Sequence, residues 1–284
     1  MKIKAYAKVN LSLDVTGQRS DGYHTLCSVF QSVSLCDIVE VISAEKVTIT
    51  CSNEQLNGEN NLCYMAAVKF FQTTEISGGA DIFIQKYIPL AGGLGGGSAD
   101  AGAVLWGLNE FFGKPLSLEQ LLKIATGLGA DVPFCMLGGT KLCEGIGEIM
   151  TDLPKLPHCH IVIAKKGQKS STGDMYRALD NGTNIRKSDI EGIINGLENC
   201  NLAEIFKGAY NCFEAVYDSA ALEEVRKIAE KQNVLYCGLS GAGPSVISVF
   251  ENQKFALLTY NALKELGFEV YLTEPTEKGL EIIE

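Results

Sequence analysis

Pro89-Leu90-Ala91-Gly92-Gly93-Leu94-Gly95-Gly96-Gly97-Ser98 runs without a break into a segment whose apolar residues, Ala101, Val104, Leu105, Leu108, Phe111 and Phe112, recur at helical spacing on one face. Residues 92–98 hold five glycines in seven positions. Glycine lets a backbone turn its N–H groups inward, and the start of a helix adds partial positive charge, so the combination forms a cradle for an anion. No Gly-Lys-Ser/Thr follows, which excludes a Walker A loop. A strict G-x-G-x-x-G is also absent, which disfavours dinucleotide binding and the protein-kinase loop. A flexible turn before a helix capped by Ser98 is the plain alternative. Each glycine costs roughly 0.5–1 kcal/mol relative to alanine, a burden that a mere connector seldom carries, so phosphate binding is the favoured reading.

Upstream of this loop the chain alternates in the manner of strands at residues 2–15, 25–33, 38–42 and 47–51, then turns helical at 62–71 with Asn60 or Asn61 as cap, then extended at 81–86. Downstream, Gly113 ends the loop's helix, and Ser117-Leu118-Glu119-Gln120 is a capping box opening another that stops at 127–129. A break at Pro154-Lys155-Leu156-Pro157 follows. Beyond it the pattern predicts a strand at 161–164 and helical stretches at 175–179, 189–197 and 209–217. A helix (221–231), strand (234–239), glycine-rich turn, strand (245–250), helix (254–266) and strand (268–272) complete the chain. With the strand at 161–164 this is β-α-β-β-α-β, the split-βαβ or ferredoxin-like order. The fold class is therefore α+β with two domains, residues 1–154 and 155–284.

Twenty-four basic against thirty-four acidic side chains give a net charge of −10 over 284 residues. That argues against nucleic acid and anionic membrane as partners, and requires any polyanion to be held by local devices such as backbone amides and a few placed lysines. No stretch approaches the roughly 18 apolar residues of a membrane span, and the start lacks the apolar core of a signal peptide, which predicts a cytoplasmic protein. Ten cysteines without a C-x-x-C pair read as reduced, mostly buried thiols. His158-Cys159-His160 would set two imidazoles on one face of a strand, but no acidic or further thiol ligand lies nearby in sequence, which argues against a structural metal.

Several residues have two readings when taken singly. Lys8 and Asn10 point to one side of the first strand, and a lysine there is either functional or at an edge. Asp131, in Gly129-Ala130-Asp131-Val132-Pro133-Phe134, stands where a helix N-cap would, two residues before a proline. Asp21-Gly22-Tyr23-His24 is a turn with exposed aromatics. Gly238-Leu239-Ser240-Gly241-Ala242-Gly243-Pro244 is either a hairpin loop or a second phosphate contact.

Taken together and in order, Ala7-Lys8-Val9-Asn10-Leu11, the glycine loop at 89–98 and the late Gly-x-Ser-Gly-x-Gly resemble the three motifs of the GHMP kinases. Residues 17–24, ending in Asp-Gly-Tyr-His, and residues 129–134 narrow the resemblance to the branch whose acceptor alcohol carries a cytidine diphosphate. The resemblance covers residues 1 to about 250. It implies an N-terminal domain like ribosomal protein S5 domain 2, a ferredoxin-like second domain and a site between them. The implied reaction is phosphorylation by ATP and Mg²⁺ of the 2-hydroxyl of 4-(cytidine 5'-diphospho)-2-C-methyl-D-erythritol, in non-mevalonate isoprenoid synthesis. It further implies Asp131 as the base, with Lys8 beside it favouring the alkoxide. Pro89, Gly92, Gly93, Leu94, Gly95, Gly96, Gly97 and Ser98 would wrap the phosphates, with Ser98 the candidate magnesium ligand. Asn61 and Lys86 would line the adenosine pocket. Asn10, Asp21, Tyr23, His24, Tyr176, Gly241 and Gly243 would bind the second substrate, with Tyr23 and Tyr176 on the two faces of cytosine. Partners would be these small molecules alone, for a monomer or weak homodimer. The chain departs from the pattern at Tyr6, where proline is usual, at Gly102, where alanine is common, and at 164–172, which lacks a proline near Lys166.

One rival reading lies within the same class and one in another. A GHMP kinase for mevalonate, homoserine or a sugar would share the glycine loop but not Asp-Gly-Tyr-His, and homoserine kinases lack the Asp131 base. A nucleic-acid-binding protein could share the S5-like fold, but the charge of −10 and the absence of a basic patch oppose it.

Overall fold

A computed structural model describes residues 1–167, 171–182, 185–217 and 220–284. The elements run β1 (Lys2–Gln18), β2 (His24–Ala44), β3 (Thr48–Cys51), α1 (Leu62–Thr74), β4 (Gly79–Gln85), α2 (Gly96–Phe111), α3 (Leu118–Leu128), α4 (Val132–Leu137), β5 (Thr140–Gly145) and β6 (Ile149–Asp152). Then follow β7 (His160–Lys165), α5 (Thr172–Asp180), α6 (Ile190–Glu198), α7 (Leu202–Gly208), α8 (Ala220–Glu230), β8 (Tyr236–Leu239), β9 (Val246–Phe250), α9 (Gln253–Glu265), β10 (Glu269–Thr273) and β11 (Leu280–Ile282). One sheet has the path β11-β1-β2-β4-β3, with β5 and β6 branching from β2; the other has the order β10-β7-β9-β8. The second order is that of a split-βαβ sheet, and the fold is α+β as the sequence predicts. Among the described residues no helix is long and apolar enough to cross a membrane.

Three apolar clusters hold these layers. The first packs Phe30, Val39, Ile82 and Ile84 of the large sheet under Phe70, Leu105 and Phe134 of the helices. The second joins the two sheets back to back, Ala7, Val9, Leu11 and Val29 meeting Ile161, Ile163, Ile247 and Val249. The third covers the outer face of the small sheet with Val225 and Leu263 of α8 and α9.

β1 contributes to the first two clusters in turn, and the reason is local. Strict alternation would keep Ile3, Ala5, Ala7, Val9 and Leu11 on one face. A register irregularity between Tyr6 and Lys8 breaks it, so Ile3 and Ala5 pack in the first cluster while Ala7, Val9 and Leu11 pack in the second. A bulge re-aims the side chains beyond it, and here it turns Lys8 and Asn10 from the seam toward the helices. Tyr6, at the position where proline was expected, donates a hydrogen bond from its hydroxyl to Glu281 of β11 (2.7 Å).

The structure corrects three sequence readings. The separate strands at 25–33 and 38–42 are one strand, β2, which continues through Asp37 with that side chain fully buried and partnered. The helix expected at 209–217 is a 3₁₀ turn at Cys212–Ala215. Here the backbone is claimed by β1: Leu13 N–H donates to Tyr210 O (2.9 Å), and Asn211 bridges to Leu13. An additional helix, α7, went unread between 197 and 209. Gly102, where alanine was expected, faces Met136; a Cβ there would lie 2.7 Å from Met136 Cγ.

Asn211 is fully buried and its amide donates to both Leu239 O (2.9 Å) and Gly241 O (2.8 Å), tying β1 to the β8–β9 hairpin. Asn211→Ala leaves buried carbonyls short of a donor and should destabilise the fold by roughly 1–3 kcal/mol, read as a lower denaturant midpoint at unchanged slope.

Candidate functional site

The start of α2 sets the site. Its N-cap is Gly95, in the left-handed region at φ 72°, and no side chain caps the helix. The first intrahelical bond is that of Ala99 N–H to Gly95 O, so the amides of Gly96, Gly97 and Ser98 face outward unused by the helix. A Cβ on Gly97 would meet nothing within 4 Å, leaving room for a group to approach the backbone. The remainder of the loop has no such room. A Cβ on Gly93 would fall 2.3 Å from Ser240 O, and one on Gly92 2.7 Å from Ser245 Oγ, so the loop lies directly on the β8–β9 hairpin. Ser240 donates its hydroxyl to Gly93 O (3.1 Å), and Lys8 N–H donates to Leu94 O (2.9 Å).

Beside this cradle, Lys8 and Asp131 meet. Lys8 Nζ stands 3.5 Å from Asp131 Oδ2, donates to Asn10 Oδ1 (2.9 Å) and lies over the Phe30 ring at 4.4 Å. Lys8 is buried, whereas the Asp131 side chain is 35% exposed and open to a ligand. Asp131 occupies the N-cap position of α4, yet its carboxylate makes no capping bond. The two readings of this residue thus separate: its place is that of a cap, and its side chain is free of that task. Asn10 is oriented in turn by Ser28 Oγ (2.9 Å), and its Oδ1 accepts from Gly241 N–H (2.9 Å).

These groups line a cavity of about 440 Å³, shared by Pro89, residues 92–98 and Tyr176. An adjoining cavity of about 600 Å³ is lined by Tyr23, His24, Ala130 and Arg177, with Ile146 and Tyr176 walls of both. Tyr176 stacks on the His24 ring (centroids 4.5 Å, 14° between planes) and meets Phe213 edge-on, while His24 Nε2 lies 2.8 Å from Asp180 Oδ1. Burial pushes the Tyr176 phenol up to about 12, so it presents a neutral ring. Tyr23 is 63% exposed at the rim.

Not every residue of the sequence reading lines these cavities. Asn61 caps α1, accepting from Cys63 N–H (2.9 Å) and donating to Leu56 O (2.8 Å); its neighbour Leu62 is the lining residue. Asp21 holds its own turn, accepting from Tyr23 N–H (3.2 Å) and pairing with Arg19. Gly243 supports the hairpin, its N–H donating to Ser240 O (3.1 Å), and lines neither cavity. Residues 168–170 of the stretch that lacks the expected proline lie outside the described residues. Phe30 and Ile146 went unread as site residues, since neither carries a signal apart from apolarity.

Residues 61–139 match the family model described as the GHMP kinases N terminal domain. The chain is 41% identical to 4-diphosphocytidyl-2-C-methyl-D-erythritol kinase of Caldicellulosiruptor bescii, over 98% of this chain and 99% of that one. It is 38% identical to the protein of the same name from Clostridium acetobutylicum, over 96% and 99%. A crystal structure of 4-(cytidine 5'-diphospho)-2C-methyl-D-erythritol kinase superposes with a TM-score of 0.81 at 29% identity, covering 97% of this chain and 99% of that one. A homoserine kinase from Cytophaga hutchinsonii, at 22% identity and a TM-score of 0.79, shares the fold.

Beneath the glycine loop lies a buried triad in which sequence reasoning found only Lys86. Its Nζ is bound by both Asp37 Oδ2 and, at 2.5 Å, Asp100 Oδ2, rather than pointing freely into the cavity. Asp37 also accepts from the backbone amides of Tyr87 and Ile88 (2.5 and 2.8 Å). Asp100 has no such help, and its Oδ1 is buried with no hydrogen-bond partner. Burial, with the Asp37 charge adding and Lys86 opposing, pushes the Asp100 carboxyl up to about 8. An acid whose pKa is raised on folding binds its proton more tightly in the native state, so stability falls as pH rises from about 4 to about 8 and levels off above. Asp100→Asn removes this dependence: between pH 5 and 8 the wild type should lose stability relative to the variant, by at most about 1.4 kcal/mol per pH unit. Parallel pH profiles in chemical denaturation would refute the assignment.

Proposed function

The chain belongs to the 4-diphosphocytidyl-2-C-methyl-D-erythritol kinase family of GHMP kinases, and from that premise we propose how its site transfers the γ-phosphate of ATP to its acceptor alcohol. It is a kinase of the non-mevalonate isoprenoid route, with ATP as co-substrate. The observation that carries the mechanistic reading is the Lys8–Asp131 pair at the mouth of the glycine cradle, in a cavity that continues into the Tyr23–His24–Tyr176 lobe.

In this reading the outward amides of Gly96, Gly97 and Ser98 hold the triphosphate at the positive end of α2. The cytidine head group enters the second lobe, replacing the contact between Tyr176 and His24 with a base between aromatic faces. The 2-hydroxyl then lies between Asp131 and the γ-phosphate. Asp131 accepts its proton as the oxygen bonds to phosphorus and the bond to the ADP oxygen breaks. Buried Lys8, held by Asn10 and Phe30, supplies fixed positive charge to the oxygen as it loses the proton. A bound Mg²⁺ would supply charge neutralisation for the phosphates, and the Ser98 hydroxyl, in the first turn of α2, is the side chain that would hold it, since Asp100 is committed to Lys86. Lys86 acts by supporting the loop from below: a Cβ on Gly96 would lie 3.4 Å from its Nζ. We place the enzyme in the cytoplasm, where its substrates are nucleotides.

Asp131→Asn should lower kcat about 10²- to 10⁴-fold, the usual worth of a general base, while ATP affinity by calorimetry stays close to wild type; loss of both would make the residue structural. Tyr23→Ala should weaken the cytidine substrate by roughly 1–3 kcal/mol, the worth of one base stack, with KM for ATP unmoved. ADP release with the cytidine-diphosphate alcohol, mevalonate, homoserine and galactose tests the acceptor itself, and turnover is expected with the first alone.

A further inference from the structure

Away from the glycine loop, among the described residues, one cluster of metal-binding side chains stands out. His158, His160 and Glu274 bring their ligand atoms within 4.8 Å of one another. The sequence offers the first two on one strand face and no third ligand within reach along the chain. Tertiary structure supplies it. The β7–β10 register sets Ile161 opposite Thr273, and the next positions outward are His160 and Glu274. The backbone of Glu274 is pinned to the large sheet, its carbonyl accepting from Ser34 N–H (2.8 Å) and its own N–H donating to Ser34 Oγ (3.1 Å).

The His160 ring points to a ligand. Its side chain is 9% exposed, and its Nδ1 is buried without any hydrogen bond, although Glu274 Oε1 stands 3.2 Å away. A buried nitrogen left without a partner is costly, a penalty that a bound cation removes. His158 Nδ1 lies 4.0 Å from Glu274 Oε2, and its ring meets that of His160 edge-on at 4.9 Å. Tetrahedral zinc with nitrogen and oxygen ligands needs donors about 3.3 Å apart. His160 and Glu274 already meet that spacing, and His158, 67% exposed, can close the remainder by side-chain rotation. Cys159 alternates to the other face and is buried in the seam cluster.

We propose that His158, His160 and Glu274 bind a divalent transition-metal ion of the Zn²⁺ class, which clips the start of β7 to the end of β10 where they meet β2. Two imidazoles and a carboxylate suit zinc, nickel or copper, whereas Mg²⁺ prefers all-oxygen, largely hydrated sites. The site is separate from phosphoryl transfer. Ala164 pairs with Val246 beside the hairpin that meets the glycine loop, while His160 pairs with Phe250 at the far end of the strands. Its effect is therefore on stability.

The test uses the untagged full-length protein, stripped with a chelator and titrated with Co²⁺ in excess Mg²⁺. A single equivalent should bind, with the visible absorption of a nitrogen–oxygen site, no near-ultraviolet thiolate band and a raised melting temperature. His158→Ala and Glu274→Gln alter partly exposed side chains and should fold; each should weaken Co²⁺ at least about tenfold and leave kinase activity intact. Absence of binding, a thiolate band, or equal binding by both variants overturns the site.

Discussion

Everything at this site depends on three stretches of chain meeting at close range, where two of the loop's glycines leave no room for a Cβ. Gly92 and Gly93 lie against the Ser240–Ser245 turn so closely that a single added carbon would collide with it, while β1 takes the other side through the bond from Lys8 N–H to Leu94 O. Backbones can approach this closely only where Cβ is missing. The contact fixes where α2 begins, and so where its free amides point. It also locks the seam between the sheets, because the hairpin belongs to one sheet and β1 to the other.

A protein with net charge −10 must handle a polyanion by geometry, and the structure does so at short range. The helix start and loop amides give a directional positive potential that involves no ionisable side chain. Lys8 is a cation held beside the loop, buried and oriented by Asn10 and Phe30. Lys86 is spent on two carboxylates beneath the loop, a arrangement that braces α2 against β2 while adding no net positive charge to the cavity. Removing one partner of a buried ion cluster is costly because it leaves a charge uncompensated. Here burial pushes the Asp100 carboxyl up, against the opposing pull of Lys86.

Much of the site was legible in the chain, residue by residue, with identifiable gaps. The glycine loop, Lys8 with Asn10, and Asp131 were all readable, and the structure brings them to one cavity. For Asp131 it also shows that the carboxylate makes no capping bond. Asn61 and Asp21 went the other way, since their side chains serve their own turns. The sequence reading stopped one strand at 33 and began another at 38, and the buried Asp37 between them has its partner Lys86 only 49 residues on. The stretch at 209–217 has helical spacing, yet the Leu13 N–H takes the Tyr210 carbonyl, while the hairpin carbonyls take the Asn211 side-chain amide.

The sequence by itself determined whatever depends on near neighbours along the chain: the capping box at Ser117 and Gln120, the helical face of α2, the glycine-rich entry to it and the β-α-β-β-α-β order of the second half. Those features rest on backbone preferences and side-chain periodicity, which a few consecutive residues specify. Only the tertiary structure decided which face of β1 carries Lys8, that Lys86 is shared by two aspartates, and that Glu274 joins His158 and His160. Each depends on a bulge, a buried partner or a strand register, and these are set by the packing of segments far apart in sequence, where no local preference reaches.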